Sequence, residues 1–358
     1  MQQLTMRQRM LNVFRGGELD RVPFVQYDGI SAPNSDIWQV IGRENMGILR
    51  WCGVHRFEHP NCRFDSQEYT QDGLRAGRTI LTTPKGTLTE EKLFEPALGS
   101  AATRKHFVTR PADYEILLSF LRDITVVQDL TGVRQAIAEL GEDGLPLVAV
   151  ARTPYQQLWI QWVCIEDLAL HLVDHPELLE ECTRLLGDIE RRICDVAVAT
   201  LDKIDLPFID FPDNITAPVI GERYFRRYCL PHYRYLADRL RGRNTGVIVH
   251  MDGDLQPLAK AIAETPLCGL DSFSPQPDND TTVAEAVRLW PNLRLMVNFP
   301  SSVHLGTPDT IYRQALRILE EGGHTRRLWI QVSENTPPQC WRKSYPEIVR
   351  AIRDFGKP

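Results

Sequence analysis

Hydrophobic and polar positions alternate most regularly in the second half of the chain. From position 145 onward, short apolar runs rich in Val, Ile and Phe are separated by longer segments with helical periodicity. This alternation is typical of βαβ units, in which helices join parallel strands. The predicted strands cover 145–151, 206–210, 246–250, 269–273, 293–299 and 327–332. The helices predicted around them cover 176–201, 224–241, 255–264, 282–289, 308–321 and 345–355.

The first half of the chain is less regular. The pattern predicts an amphipathic helix over 5–14, a strand over 21–27, and an antiparallel hairpin over 79–94 around Pro84-Lys85-Gly86. About seven or eight strands could enter one parallel sheet, and a (β/α)8 barrel needs about 250 residues. We therefore predict an α/β fold, a (β/α)8 TIM barrel with extra N-terminal helices and an inserted β-hairpin, as a single domain over 1–358. A doubly wound sheet is the alternative, but no GxGxxG or GxxxxGK[ST] motif follows a predicted strand.

Composition and charge narrow the class of ligand. The 358 residues are 43% hydrophobic and 25% charged, with a formal net charge of −6. No basic run predicts a nucleic-acid or membrane surface, so we expect a small-molecule substrate. No apolar run approaches the roughly 20 residues of a membrane span, and the first residues do not form a signal peptide, so we expect a cytoplasmic protein. The eight cysteines form no CxxC pair and are expected to be free thiols.

Polar residues follow nearly every predicted strand. In a (β/α)8 barrel the active site lies at the carboxyl ends of the strands, so these residues are expected on one face. The candidate catalytic residues are Tyr27, Asp210, Asp213 and His250. The candidate substrate-binding residues are Arg152, Tyr155, Asn298 and His304.

The sequence His250-Met251-Asp252-Gly253-Asp254 is the sharpest local signal. An imidazole and a carboxylate two positions apart at a strand end can face the same space, and such ligands suit zinc. We expect His250 and Asp252 to bind the metal with Glu334, which follows the last strand, or with Cys340 as the second choice. The alternative is that His250 is a buried hydrogen-bonded residue or a metal-free acid or base.

A second histidine cluster lies near position 55. His55 and His59 have i, i+4 spacing, with Glu58 and Cys62 beside them, which would suit a zinc helix. Pro60 opposes a continuous helix there, and no HExxH order is present. We therefore expect a surface turn.

Six segments, read in order, resemble the uroporphyrinogen decarboxylase superfamily, whose members are (β/α)8 barrels. These segments are 17–23 (GELDRVP), 215–218 (ITAP), 224–231 (YFRRYCLP), 250–253 (HMDG), 298–302 (NFPSS) and 333–338 (SENTPP). The haem-pathway decarboxylases of this superfamily carry an Arg-Gln-Ala-Gly-Arg motif after the first strand, where this chain has VQYDGIS at 25–31. A substrate with eight carboxylates should require more arginine than this site offers.

The chain is more similar to the superfamily's zinc-dependent methyltransferases, which exchange methyl groups with a corrinoid protein. Their metal ligands are a His-x-Cys pair at the equivalent strand and a further Cys near the last strand. His250 matches the first ligand, whereas Asp252 and Glu334 replace thiolates with carboxylates. The resemblance therefore implies a zinc-dependent or other metal-dependent methyltransferase or demethylase acting on an O-methyl substrate, with the corrinoid cofactor carried by a partner protein.

Two other functions stay open. One is a metal-free decarboxylase of a small acid, in which His250 and Asp213 act as acid and base and Arg152 holds the carboxylate. The other is a barrel that has lost catalysis and serves as a binding subunit. Many relatives of this type form dimers, so the resemblance allows a homodimer.

Overall fold

A computed structural model describes residues 3–96 and 100–358. The strands are, in chain order, β1 (Phe24–Tyr27), β2 (Gly47–Cys52), β3 (His55–Glu58), β4 (Arg63–Gln71), β5 (Leu74–Thr83), β6 (Gly86–Glu95), β7 (Ser100–Lys105), β8 (Thr125–Gln128), β9 (Gly144–Val148), β10 (Phe208–Phe211), β11 (Gly246–His250), β12 (Gly269–Phe273), β13 (Arg294–Asn298) and β14 (Leu328–Val332). The α-helices are α1 (Met6–Arg15), α2 (Asn34–Ile41), α3 (Asp113–Asp123), α4 (Thr131–Leu140), α5 (Pro154–Gln157), α6 (Ile165–Asp174), α7 (Pro176–Thr200), α8 (Ala217–Tyr224), α9 (Leu230–Arg239), α10 (Ala259–Ala263), α11 (Val283–Leu289), α12 (Pro308–Gly322) and α13 (Trp341–Phe355). Short 3₁₀ turns cover Arg43–Asn45, Gln256–Leu258, Ser301–Leu305 and Gly323–Thr325, and π-helical turns cover Leu158–Trp162 and Phe225–Cys229.

Eight parallel strands form the barrel. Their hydrogen-bonded order is β10-β11-β12-β13-β14-β1-β2-β9. A parallel bridge between Ala149 and Asp210 brings β9 back to β10, where Val150 N donates to Asp210 O at 2.9 Å. The predicted (β/α)8 fold is confirmed, with helices between the strands.

The barrel interior is apolar at one end and polar at the other. Alternate residues of a strand face the same side, and the inward residues change from apolar to polar toward the carboxyl ends. The successive pairs on five strands are Val25 and Tyr27, Phe208 and Asp210, Ile248 and His250, Met296 and Asn298, and Trp329 and Gln331. The polar end is where the candidate catalytic residues lie.

Helix α1 closes the apolar end. Thr5 and Gln8 form a capping box at its start, and left-handed Gly16 ends it. Its buried Phe14 packs against Phe208 and Trp329, with ring centroids 4.6 and 5.4 Å apart. The predicted amphipathic helix therefore seals the bottom of the barrel.

The hairpin predicted at 79–94 is the centre of a larger insertion. Strands β5 and β6 pair antiparallel with Thr83 opposite Gly86, and β4 and β7 extend them into a four-stranded sheet. Leu81 and Leu88 are buried in the main hydrophobic core, so the inserted sheet packs against the barrel.

The structure adds one barrel strand and divides two predicted helices, of which that over 255–264 becomes the 3₁₀ turn Gln256–Leu258 and α10. Strand β2 was not predicted because Arg50 interrupts its apolar run; Arg50 forms ion pairs with Asp28 and Glu139. The helix predicted over 224–241 is divided between α8, a π-helical turn and α9. No described helix is long and apolar enough to cross a membrane.

Candidate active site and metal centre

Three donor groups converge where β11 and β14 end. His250 Nε2 lies 3.6 Å from Asp252 Oδ2 and 3.7 Å from Glu334 Oε1. One donor atom from each residue lies within 4.8 Å of the other two. In the part of the chain that the structure describes, this donor triad is the one group of three or more His, Cys, Asp or Glu with that spacing. The three residues predicted to bind metal are thus the three that meet.

A buried carboxylate holds the other nitrogen of His250. Asp271 Oδ2 lies 3.1 Å from His250 Nδ1 and accepts a hydrogen bond from Tyr27 Oη. Gln331 Nε2 donates to Asp271 Oδ1 at 3.0 Å, and Trp329 Nε1 donates to Gln331 Oε1 at 2.8 Å. Because Nδ1 is fixed from the barrel interior, Nε2 faces Asp252 and Glu334. An outer carboxylate on a histidine is the usual support of a metal ligand.

A bulge in β12 places two neighbouring side chains on one side of the strand. The pairing with β13 shifts register between Leu270 and Phe273, and Ser272 has φ +55°. Neighbours in a regular strand face opposite sides. Here Asp271 and Ser272 both reach Tyr27, with Ser272 Oγ 3.2 Å from its hydroxyl.

The loop carrying Asp252 is held against the loop after β10. A Cβ added at Gly253 would lie 2.2 Å from Thr216 Cβ, so glycine is required for this close approach. Gly253 N donates to Ile215 O, and Asn214 Nδ2 donates to Asp252 Oδ2 at 3.2 Å. The glycine after the metal motif thus allows the contact that orients Asp252.

Asn298 positions the loop that carries Glu334. Its Oδ1 accepts hydrogen bonds from Ser333 N at 3.0 Å and Ser333 Oγ at 2.9 Å, and its Nδ2 donates to Ser274 Oγ. Asn298 is therefore engaged with protein groups next to Glu334. Its predicted role in substrate binding stays a prediction.

Negative charge accumulates around the donor triad. Burial raises the pKa of Glu334 to about 7, and the charges of Asp252 and Asp271 add to the effect. Burial opposes ionisation of Asp252, but the nearby charge of His250 and the hydrogen bond from Asn214 hold its pKa below the usual value. Burial would lower the pKa of His250, but the charges of Asp252 and Asp271 and the hydrogen bond to Asp271 raise it. A cation is the ligand that this electrostatic arrangement favours.

Asp210 and Asp213 are both fully buried, in different surroundings. Neither oxygen of Asp210 has a hydrogen-bond partner among the described residues, and burial together with the charge of Asp271 raises its pKa well above the usual value. Asp213 accepts hydrogen bonds from Thr153 N at 2.8 Å, Thr153 Oγ1 at 2.9 Å and Tyr233 Oη at 2.6 Å. Burial thus favours the protonated form of Asp210, whereas Asp213 supports the loop after β9.

A cavity of about 410 Å³ opens at the donor triad. Its wall is formed by Trp51, Ala149, Arg152, Pro212, Asn214, His250, Ser333 and Glu334. This volume falls within the roughly 300–1,000 Å³ typical of small-molecule sites. Arg152 provides a guanidinium group in the wall. Its predicted role in substrate binding stays a prediction.

Tyr155, His304 and Cys340 are not among the residues that line this cavity. Tyr155 stacks on Tyr228 with centroids 5.4 Å apart, and His304 Nδ1 bonds Ser344 Oγ at 2.7 Å. The substrate-binding roles of Tyr155 and His304 stay predictions without a contact to the cavity. Cys340 does not belong to the donor triad, so Glu334 is the better of the two candidate third ligands.

The second histidine cluster does not form a zinc helix. His55 lies in β3, which pairs with β8, and His59 Nδ1 is 2.7 Å from Cys62 O. Among the described residues, His55 and His59 belong to no group of three possible ligands.

Sequence reasoning missed Asp271, Gln331 and Trp51. Asp271 and Gln331 interrupt apolar runs that become fully buried strands, and a polar residue inside such a run requires a buried partner. A polar residue inside an apolar run was therefore the feature of the sequence that could have identified Asp271 and Gln331. Trp51 lies in the strand that was not predicted, and its ring packs edge-on against Tyr27 at 5.3 Å.

Comparison with known proteins gives a family and a fold. Residues 103–353 match the family described as uroporphyrinogen decarboxylase (URO-D). The fold is similar to that of a methyltransferase from Methanosarcina mazei, with TM-score 0.58, 14% identity and 99% of each chain covered. A B12-independent methionine synthase from Shewanella sp. W3-18-1 aligns with TM-score 0.43 and 10% identity, over 74% of this chain and 73% of that chain. No curated protein matches the sequence significantly.

Proposed function

Because the chain belongs to the uroporphyrinogen decarboxylase family, we propose that it is a metal-dependent methyltransferase or demethylase. His250, Asp252 and Glu334 hold zinc or another divalent cation, a small O-methyl substrate binds in the adjoining cavity, and the methyl group passes to a corrinoid carried by a separate protein. The observation that carries the proposal is the approach of three donor atoms to within 4.8 Å of one another. The similarity to the Methanosarcina mazei protein concerns the fold alone.

The donor triad fits a small divalent cation. Zinc binds nitrogen and oxygen at about 2.0–2.2 Å, which places tetrahedral ligands roughly 3.4 Å apart. The separations of 3.6 and 3.7 Å from His250 Nε2 are close to that value and too long for good hydrogen bonds. Three protein ligands leave a coordination position for substrate. A bound cation would supply Lewis-acid polarisation of the ether oxygen.

The protein groups around the triad have separate roles in this proposal. Methyl transfer breaks the bond between carbon and substrate oxygen, and the oxygen keeps that electron pair and takes up a proton. The new bond to the methyl carbon would use the electron pair of a Co(I) corrinoid on the partner protein. Asp210 is the candidate proton donor, because burial raises its pKa and so favours its protonated form. Tyr27 fixes Asp271 and thereby His250, whereas Asp213 orients Thr153. Tyr27 and Asp213 are therefore positioning residues.

Metal content tests the proposal directly. We expect purified, untagged protein to contain about one zinc or other divalent ion per chain, since structural and catalytic zinc sites hold a single ion. His250→Ala should lose the metal, and Glu334→Gln should weaken its binding. His175→Ala, which changes a histidine that is 39% exposed and outside the triad, is the matched control and should retain it. Elemental analysis without chelators makes the measurement.

Absence of metal from the wild type under those conditions, or its retention by His250→Ala, would sink the proposal. With metal present, methoxylated substrates and cobalamin reduced to the Co(I) state are the reactants to assay, because Co(I) supplies the electron pair that bonds the methyl group. The demethylated product and methylcobalamin should form together.

One observation favours a second candidate, a metal-free decarboxylase of a small carboxylic acid. Arg152 faces the same cavity as His250 and could hold a carboxylate. In this reaction His250 and Asp213 would be the acid and base. The three hydrogen bonds already made to Asp213 count against that role. Release of carbon dioxide by metal-free protein would favour this candidate over methyl transfer.

A further inference from the structure

A second cavity adjoins that of the donor triad. Its volume is about 310 Å³, and Arg152 and Pro212 line both cavities. Phe64, Phe120 and Trp162 contribute aromatic rings to its wall. We call this second cavity the aromatic cavity. Arg152 and Pro212 form a wall that it shares with the cavity of the donor triad.

The aromatic cavity has the size and lining for a ring. An apolar cavity of about 150 Å³ is enough to hold benzene. The rings of Phe64 and Phe120 are 5.2 Å apart at 89°, and those of Phe120 and Trp162 are 5.6 Å apart at 51°. Aromatic side chains in tilted and edge-on arrangements favour a further aromatic ring as ligand.

Arg152 places a guanidinium group between the two cavities, and the nearby carboxylates of Asp213, Asp210 and Asp252 stabilise its charge. Its Nε is buried without a hydrogen-bond partner, and no salt bridge joins its guanidinium to any residue in 3–96 or 100–358. A third cavity, of about 420 Å³ and partly walled by the inserted sheet, also reaches Arg152. A planar guanidinium group binds a carboxylate through two parallel hydrogen bonds.

We infer that these cavities bind an aromatic carboxylate, with its ring in the aromatic cavity and its carboxylate on Arg152. A methoxy substituent on that ring would extend into the cavity of the donor triad. The placement of the methoxy group rests on the proposed function, whereas binding of the aromatic carboxylate does not. The inserted sheet, through Phe64, is then part of the substrate site.

Isothermal titration with 3-methoxybenzoate tests the inference on the purified full-length protein. Methoxybenzene, which has the ring without the carboxylate, and acetate, which has the carboxylate without the ring, are the comparison ligands. We expect 3-methoxybenzoate to bind more tightly than either. Arg152→Gln should weaken binding by roughly 10- to 100-fold because a charge-assisted pair is lost.

A second variant tests the ring contact independently. Phe64 is 39% exposed, so Phe64→Ala should fold normally, and it should weaken 3-methoxybenzoate binding by about two- to tenfold. Arg241→Gln removes an equal charge at an exposed site and should bind as the wild type does. Metal content should be unchanged in all three variants.

The outcomes separate this inference from the proposed function. Failure of 3-methoxybenzoate to bind, or binding that is unaffected by Arg152→Gln and Phe64→Ala, would overturn the inference even if the triad holds metal. Arg152-dependent binding to a protein that holds no metal would support the inference while removing the methyl-transfer proposal.

Discussion

The residue that fixes the candidate metal ligand is Asp271, a carboxylate buried inside the barrel. It lies 3.1 Å from His250 Nδ1 and accepts hydrogen bonds from Tyr27 and Gln331. These contacts restrict rotation of the imidazole, so that Nε2 faces Asp252 and Glu334. A carboxylate in this position also makes the ring a stronger donor.

Replacing Asp271 by Asn should therefore weaken the proposed metal site without removing a ligand. The amide keeps the shape of the side chain, but it lacks the negative charge that supports His250. We expect zinc affinity to fall by about 10- to 100-fold, the usual effect of losing such a partner. Competition with a chromophoric chelator measures the affinity.

Asp28→Asn is the control for that experiment. Asp28 follows β1 and pairs with Arg50, outside the donor triad. Equal zinc affinity in Asp271→Asn and the wild type would show that the carboxylate does not support the ligand.

At the scale of elements, α13 and the 3₁₀ turn Ser301–Leu305 enclose a neutral histidine. His304 is fully buried, packs on Phe299 with ring centroids 4.9 Å apart, and bonds Ser344 Oγ through Nδ1. Burial lowers the pKa of His304 to about 4, although the nearby charge of Asp278 acts in the opposite direction. The buried surroundings of His304 therefore stabilise the neutral imidazole relative to the protonated one.

The pH dependence of unfolding should reveal this histidine. Unfolded His304 takes up a proton near pH 6.5, whereas folded His304 does so only near pH 4. The unfolded state therefore binds more protons between these values, and stability falls as the pH falls. His304 alone should reduce the free energy of unfolding by about 2 kcal/mol between pH 8 and pH 5.

Urea unfolding of the wild type and His304→Asn at both pH values isolates that contribution. Asn can keep the bond to Ser344 and does not titrate. The pH-dependent loss should be smaller in the variant by the stated amount. Identical losses in the two proteins would mean that His304 is not the group responsible.

For the whole molecule, the packing of the helices around the barrel protects three of the eight thiols. All eight cysteines lie in described positions and are free thiols. Cys182, Cys194 and Cys229 are fully buried, and burial raises the pKa of Cys182 to about 12 and those of the other two well above the usual value. Thiolate is the reactive form, so these three should react only when the barrel opens.

A thiol-reactive disulfide reagent at pH 8 tests that expectation. Unfolded, non-reduced protein should show eight reactive thiols. In the native protein the three buried thiols should react at the rate of unfolding, while the half-buried Cys340 reacts earlier. Cys340→Ser should remove one early thiol and no late one. Fewer than eight thiols after unfolding would indicate a disulfide.

The sequence by itself determined the barrel and the centre of the candidate site. Alternating apolar runs and helical segments predicted seven of the eight barrel strands, because burial imposes a local period on each element. The pair His250 and Asp252 was visible for a similar reason: both residues follow one strand, and Gly253 marks the tight turn after them. Glu334 was predicted from its equivalent place after the last strand.

Only the tertiary structure decided which distant residues meet. Closure of the barrel placed Glu334 rather than Cys340 at His250, and the bulge in β12 turned Asp271 toward the same imidazole. The aromatic cavity combines the inserted sheet with residues after β9. Such contacts join residues far apart in the chain, and no local periodicity encodes them. They follow from how the strands close and how the insertion packs, which is settled by the fold as a whole.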